Sequence, residues 1–317
     1  MQVPAYLPTL AAWAWIPIVI AAALFQTVRN AAQRSLAAEL GTLSATLVRF
    51  LYGLPFAAFW LVVVLHFLPA TTTLPDLGAS HWPYWAWLAA GAVAQIMATS
   101  LLLLAMAERN FVVGVALAKT EVLQAAVLAA VLLLDRPGLW SILAMVCASG
   151  GVLLLSAPQS GLRDVLRPSA WHGKAAFAGL ASGACFAMAS VGYRGAALTQ
   201  PGVSPWLIGA SGVLLAQLLQ TALLGSWIRW RDPGKWGQIA RAWRISSVAG
   251  AMGALASIGW FTAFAIQTVA EVKTLGLIEV IFSYLVSRKM FDENLSRAER
   301  VGLGLVTVGL VVICAQL

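Results

Sequence analysis

Charge is what this sequence has least of. Of 317 residues only 12 are Asp or Glu and 20 are Lys or Arg, 10% in all, where soluble domains carry roughly a quarter. A chain so poor in charge and 61% hydrophobic cannot build a water-facing surface, which excludes an ordinary soluble fold. Histidine is nearly missing: His66, His81 and His172 stand apart at segment ends, without metal-ligand spacing. The three cysteines, Cys147, Cys185 and Cys314, lie inside apolar segments with no CxxC pattern and read as packing residues. No phosphate loop, nucleotide fingerprint or usable GxSxG elbow occurs, so a primary pump or hydrolase has no support. The chain is not expected to be an enzyme, nor to need a metal or other cofactor. The stretch MQVPAYLPTLAAWAWIP at the N-terminus lacks the basic region of a cleavable signal peptide, so none is expected.

Long apolar runs, by contrast, fill the chain. They are about 18–25 residues long, enough to cross a hydrocarbon core of ~30 Å. They show no strict alternation of polar and apolar residues, which favours helices over an outer-membrane barrel. Ten transmembrane helices are predicted, near 14–36, 43–68, 84–107, 110–134, 138–157, 173–198, 204–228, 246–268, 271–291 and 296–316. Three links exceed tight turns. Pro69 to Pro83 ends in an interfacial cluster of His81, Trp82, Tyr84 and Trp85. Ala157 to Trp171 divides the chain near its middle. Trp227 to Arg244 alternates Arg and Lys with Trp and reads as a basic amphipathic surface segment.

The division leaves five spans on each side: residues 1–158, a loop at 159–171, and residues 172–317. An odd number per half forces the second copy to enter the membrane from the opposite face. The expected fold is therefore all-α, with two inverted-topology five-helix repeats, and the site is expected near the midplane between them. A sequence echo at an offset of 158 supports this. Glu279-Val280 matches Glu121-Val122, Asp292-Glu293 matches Leu134-Asp135, and Gly309-Leu310-Val311-Val312 matches Gly151-Val152-Leu153-Leu154. The match is best over 89–155 against 248–313 and weak across the first two spans of each half.

The net charge of +8 does not suggest nucleic acid, because the basic residues sit in short loops between spans. Fifteen of the twenty Lys and Arg residues lie in links 1–2, 3–4, 5–6, 7–8 and 9–10. Read by the positive-inside rule, that places both termini outside the cytoplasm.

Polar residues inside the spans mark the candidate site, since they are costly in lipid unless they face a bundle interior or a watery cavity. In the first span Gln26, Arg29, Asn30 and Gln33 recur at i, i+3, i+4 and i+7 and share one helical face. Such a stripe is a cavity wall or an interhelical hydrogen-bond seam. The third span offers Gln95 and Thr99, and the eighth offers Ser257, Trp260, Phe261 and Phe264. The aromatic stripe fits either packing or a ligand cradle.

The fourth span, AKTEVLQAAVLAAVLLLDR from Ala118 to Arg136, carries Lys119 and Glu121. Two residues apart is ~200° around a helix, so both cannot face one ligand. Arg49 in the second span is a candidate partner for Glu121. In the ninth span Glu279, Ser283 and Ser287 share a face, with Lys273 and Tyr284 elsewhere. Glu121, Glu279 and Arg49 read as structural or proton-coupling groups. Lys119 has no counterpart, because Leu277 holds its repeat position, and it reads as the counter-charge for an anionic group on a substrate. Expected substrate-binding residues are thus Gln26, Asn30, Gln33, Gln95, Thr99, Lys119, Ser257 and Trp260. Arg194, Asp135-Arg136 and Asp292-Glu293 look like helix-end residues.

Ten spans in two inverted fives, with Glu121-Val122 and Glu279-Val280 in the fourth helix of each half, resemble the EamA family of the drug/metabolite transporter superfamily. The acidic turns after those helices, the Gly-containing fifth helices and Arg49-Phe50 in the second span add to the likeness. Family members commonly carry Pro after these glutamates; here Val122 and Val280 stand in its place. The resemblance implies an inner-membrane, multi-pass carrier that exports small amphipathic metabolites such as amino acids by alternating access. It also implies cytoplasmic termini, against the charge count. Two five-helix repeats could close a cavity within a single chain in the bilayer, so a monomer suffices. The rival expectations are efflux of hydrophobic cations, for which Glu121 and Glu279 would matter, and an integral-membrane enzyme, for which no residue spacing speaks.

Overall fold

The computed structural model describes residues 13–68, 72–78, 81–108, 117–155, 173–282 and 297–316. The inter-repeat loop, the start of the fourth span, the end of the ninth with Ser283, Tyr284 and Ser287, and the Asp292-Glu293 turn lie outside them. Every element described is a helix: α1 Trp15–Leu40, α2 Thr42–Leu51, α3 Leu54–Phe67, α4 Trp82–Ala107, α5 Glu121–Leu132, α6 Leu139–Leu155, α7 Lys174–Leu198, α8 Pro205–Arg231, α9 Gly234–Arg241, α10 Trp243–Ile266, α11 Val269–Gly276 and α12 Arg297–Cys314. Among the described residues six stretches are long and apolar enough to cross a membrane: α1, α2 with α3, α4, α7, α8 and α10. The protein is a multi-pass membrane protein. The other four expected spans are represented by shorter helices, α5, α6, α11 and α12.

Three of the expected continuous helices, the second, fourth and ninth spans, are broken. The second span breaks at Tyr52-Gly53 into α2 and α3. Pro55, at the start of α3, lacks an N–H and its ring crowds the preceding turn. The link after α8 contains α9, an amphipathic helix of about two turns that buries Ile239 and leaves its basic side out. The fourth and ninth spans, expected to be unbroken, are each interrupted. In the fourth, the amide of Thr120 reaches Leu117 and that of Val122 reaches Lys119, both three residues back. In the ninth, the amides of Leu277 and Val280 reach Thr274 and Leu277 in the same way, and helix resumes over 278–282. Neither break contains proline.

Packing is close because the contact faces are small residues, the usual way for helices to associate in lipid. α1 lies against α10, α4 against α7, and α6 against α12. The last contact is reciprocal. A Cβ on Gly151 would meet the Gly302 carbonyl at 2.6 Å and the Val306 amide at 2.7 Å; one on Gly309 would meet the Ala144 carbonyl at 2.6 Å and Ala148 Cβ at 2.7 Å. Shifting each member of one set by 158 gives the other. α10 runs antiparallel to α1, since Gly253 sits beside Arg29 while Gly259 sits beside Ala22. α7 runs antiparallel to α4 by the same test, Gly192 lying on Gly91 and Ser182 bonding the Ala98 carbonyl.

α11 begins with a capping box: Thr268 accepts from the Glu271 amide at 3.3 Å and donates its hydroxyl to the Glu271 carboxylate at 2.9 Å. α5 ends with Leu134 in the left-handed region, φ 56°. The Asp135 amide turns back to the Ala129 carbonyl there.

Candidate functional site

The two interruptions face each other within the bundle, and each carries a glutamate just after the break. Glu121 stands in the first turn of α5, where free amides favour a carboxylate. Glu279 occupies the same place in the segment after Leu277. Each glutamate takes a lysine from the other interrupted span. Lys119 donates to one oxygen of Glu279, and Lys273 lies 3.4 Å from Glu121. The pairs are crossed, so they tie the first half of the chain to the second.

α1 completes the arrangement. Gln26 donates its amide to the other Glu279 oxygen, and its carbonyl accepts the Trp260 indole N–H at 3.0 Å. The Lys273 ammonium lies 5.4 Å from the Trp260 ring, 5.9 Å from Phe186 and 6.0 Å from Phe264, within cation–π range of all three. α7 can approach the broken backbone because residue 183 is Gly: a Cβ there would sit 2.9 Å from the Ala118 carbonyl.

Around these groups is a cavity of about 200 Å³, lined by Gln26, Arg29, Asn30, Leu102, Met106, Ala118, Lys119, Glu121, Phe186, Lys273, Glu279 and Val280. Its walls come from the later halves of α1 and α4, so it lies towards the end where those helices finish. A smaller void of about 30 Å³ adjoins it through Gln26, Phe186 and Lys273, and is lined also by Arg49, Gln95, Ser190, Tyr193, Ser257, Trp260 and Phe264. At the opposite end, Arg194 Nη1 donates to the Phe264 carbonyl at 2.7 Å and its Nε lies 3.6 Å from Asp135. The four cations lining the two voids, Arg29, Arg49, Lys119 and Lys273, face two carboxylates, Glu121 and Glu279. The excess is two positive charges.

Gln26, Asn30, Lys119, Glu121 and Glu279 therefore come together around the larger cavity, and Gln95, Ser257, Trp260 and Arg49 around the smaller one. Two expected binding residues line neither. Gln33 is fully buried and donates to the Ala45 carbonyl at 3.1 Å; Thr99 is buried and accepts from Arg49 Nη1 at 2.9 Å. Arg49 is consequently not the partner of Glu121; Lys273 is. Lys119 and Glu121 do line one cavity, against the expectation for a regular helix, and the helix is broken between them. Lys119 is also paired rather than free.

Four residues were absent from the sequence-derived set. Arg29 lay on the α1 stripe and carried a signal. Phe186 and Tyr193 did not stand out in an apolar helix. Lys273 had no periodic relation to Glu279 across the interruption. Tyr193 donates to Gln95 Oε1 at 2.7 Å, and Gln220 donates to the same oxygen at 2.8 Å, a buried network joining α4, α7 and α8.

No family model matches the chain, and no curated protein does. Sixteen chains of solved structure match. One, a crystal structure described only as that of a protein, aligns over 94% of this chain and 96% of its own at 17% identity and a TM-score of 0.65. The two share a fold.

Proposed function

We propose that this protein is a secondary transporter, an inner-membrane exporter of small amphipathic metabolites such as amino acids, working by alternating access. The observation that carries the reading is the charged central cavity between two interrupted helices. Ionisable side chains deep in a bundle mark solute or ion pathways, and interrupted helices offer their free backbone ends to ligands in carriers. The reciprocal packing of Gly151 and Gly309, at the offset of the sequence echo, supports two inverted repeats. With the acidic turns and Arg49-Phe50, it supports membership of the EamA family of drug/metabolite transporters.

Size and charge favour this over efflux of hydrophobic cations. The cavity of about 200 Å³ is smaller than the ~300–1,000 Å³ usual for drug-sized ligands. The aromatic rings that could surround a quaternary ammonium already surround Lys273. A solute with an anionic group meets the excess of positive charge favourably. Purified protein in liposomes, assayed for uptake of a panel of labelled amino acids, tests the proposal. Flux above that of protein-free liposomes is expected for at least one of them, and none for tetraphenylphosphonium. Flux of the cation alone would establish the rival.

A further inference from the structure

Lys119 and Lys273 each have a carboxylate partner; Arg29 and Arg49 have none among the described residues. Arg29 is 2% exposed and Arg49 1%. Arg29 directs Nε and Nη2 to a single acceptor, Asn30 Oδ1, at 3.3 and 2.6 Å, and its buried Nη1 has no partner. Arg49 gives Nη1 to Thr99, and its buried Nε has no partner. Both stems pack on residue 253, which is Gly: a Cβ there would lie 3.1 Å from Arg49 Cγ and 3.4 Å from Arg29 Cδ. A side chain there would press on both stems.

Two buried arginines whose stems share one glycine, each with an unused buried donor and neither in an ion pair among the described residues, are an expensive arrangement in an apolar bundle. Arg29 reaches the larger cavity and Arg49 the smaller one, and the two voids share Gln26, Phe186 and Lys273. We propose that Arg29 and Arg49 form an oxyanion subsite, and that the physiological solute is a small molecule of net negative charge whose carboxylate or phosphate docks between them. The planar fork of a guanidinium suits either group. The inference rests on the carrier reading above and narrows its substrate class from amphipathic metabolites to acidic ones. It also moves anion recognition from Lys119, which Glu279 neutralises, to the arginine pair.

The test is thermal unfolding of the purified, detergent-solubilised protein with four probes: succinate, inorganic phosphate, leucine and tetraphenylphosphonium. Succinate or phosphate is expected to raise Tm in a saturable way, and whichever does so identifies the oxyanion; leucine and tetraphenylphosphonium are expected to have little effect. Arg29→Gln and Arg49→Gln should each weaken the responding anion by ~30-fold or more without lowering Tm in its absence, because each removes a buried donor that has no partner. A merely structural arginine would instead lower Tm with ligand affinity retained, and that result overturns the proposal. So does stabilisation by leucine or the cation alone, or by none of the four. Should either Gln variant fail to fold, Arg29→Lys and Arg49→Lys keep the charge and lose the fork, and unchanged anion affinity in both would also overturn it. Binding without flux in liposomes would remove the carrier reading and leave the subsite standing. Flux of neutral solutes without anion binding would do the reverse.

Discussion

Lys119 and Glu279, 160 positions apart in sequence, are bonded across the centre of the molecule. Each sits at an interruption in an otherwise apolar helix, and Lys273 with Glu121 forms the complementary pair. The two bonds hold the halves of the chain to each other at the wall of the cavity.

Removing one partner should therefore cost more than removing both. Glu279 is buried at 5% exposure, so Lys119→Ala leaves an uncompensated carboxylate with Gln26 as its remaining donor. Breaking a buried pair costs roughly 3–5 kcal/mol; the lower end is expected, because the Lys119 side chain keeps 19% of its exposure. The double variant Lys119→Ala with Glu279→Gln should recover most of the loss. Urea or thermal unfolding of the four proteins gives the cycle, and additive effects would mean the pair is not coupled.

Trp260 has two roles that substitution can separate. Trp260→Phe keeps a ring beside Lys273 but drops the N–H bonded to Gln26, a loss of about 1 kcal/mol. Trp260→Ala removes both and leaves a cavity, for about 3–5 kcal/mol. Equal losses for Phe and Ala would show that the ring contributes nothing.

Gly151 and Gly150 are adjacent and should respond oppositely. A side chain at Gly151 meets the backbone of α12 below 3 Å, whereas nothing lies within 4 Å of a Cβ at Gly150. Gly151→Val is expected to destabilise by about 1–3 kcal/mol. Gly150→Ala should gain about 0.5–1 kcal/mol from its better helix propensity. Melting temperatures of the two variants decide it.

The contacts of Arg194 with Asp135 and the Phe264 carbonyl close the end of the bundle where α1 begins. Arg194→Gln should loosen that end. With Cys147, Cys185 and Cys314 replaced by Ala, a cysteine placed at Ser190 should react faster with a membrane-impermeant maleimide added from that side. An unchanged rate would mean that other contacts hold the end shut.

The apolar spans were legible because length and composition decide them. The echo at 158 pairs Lys119 with Leu277, and both positions fall at helix interruptions. That they interrupt was not legible, because neither break holds proline. The same gap explains Lys273, whose relation to Glu121 spans two separate elements. Pro55 could have signalled the break between α2 and α3. Gln33 and Thr99 shared faces with residues that reach the voids, but periodicity does not say which end of a polar stripe packs against a neighbouring helix.

The most direct test of the account is uptake of a labelled acidic amino acid, glutamate, into liposomes holding the purified wild-type protein or its Arg29→Gln variant. Saturable wild-type uptake, lost in a variant that remains folded and inserted, is the predicted result. Glutamate uptake that is absent in the wild type, or unchanged in the variant, would contradict the charged cavity as the working part of this protein.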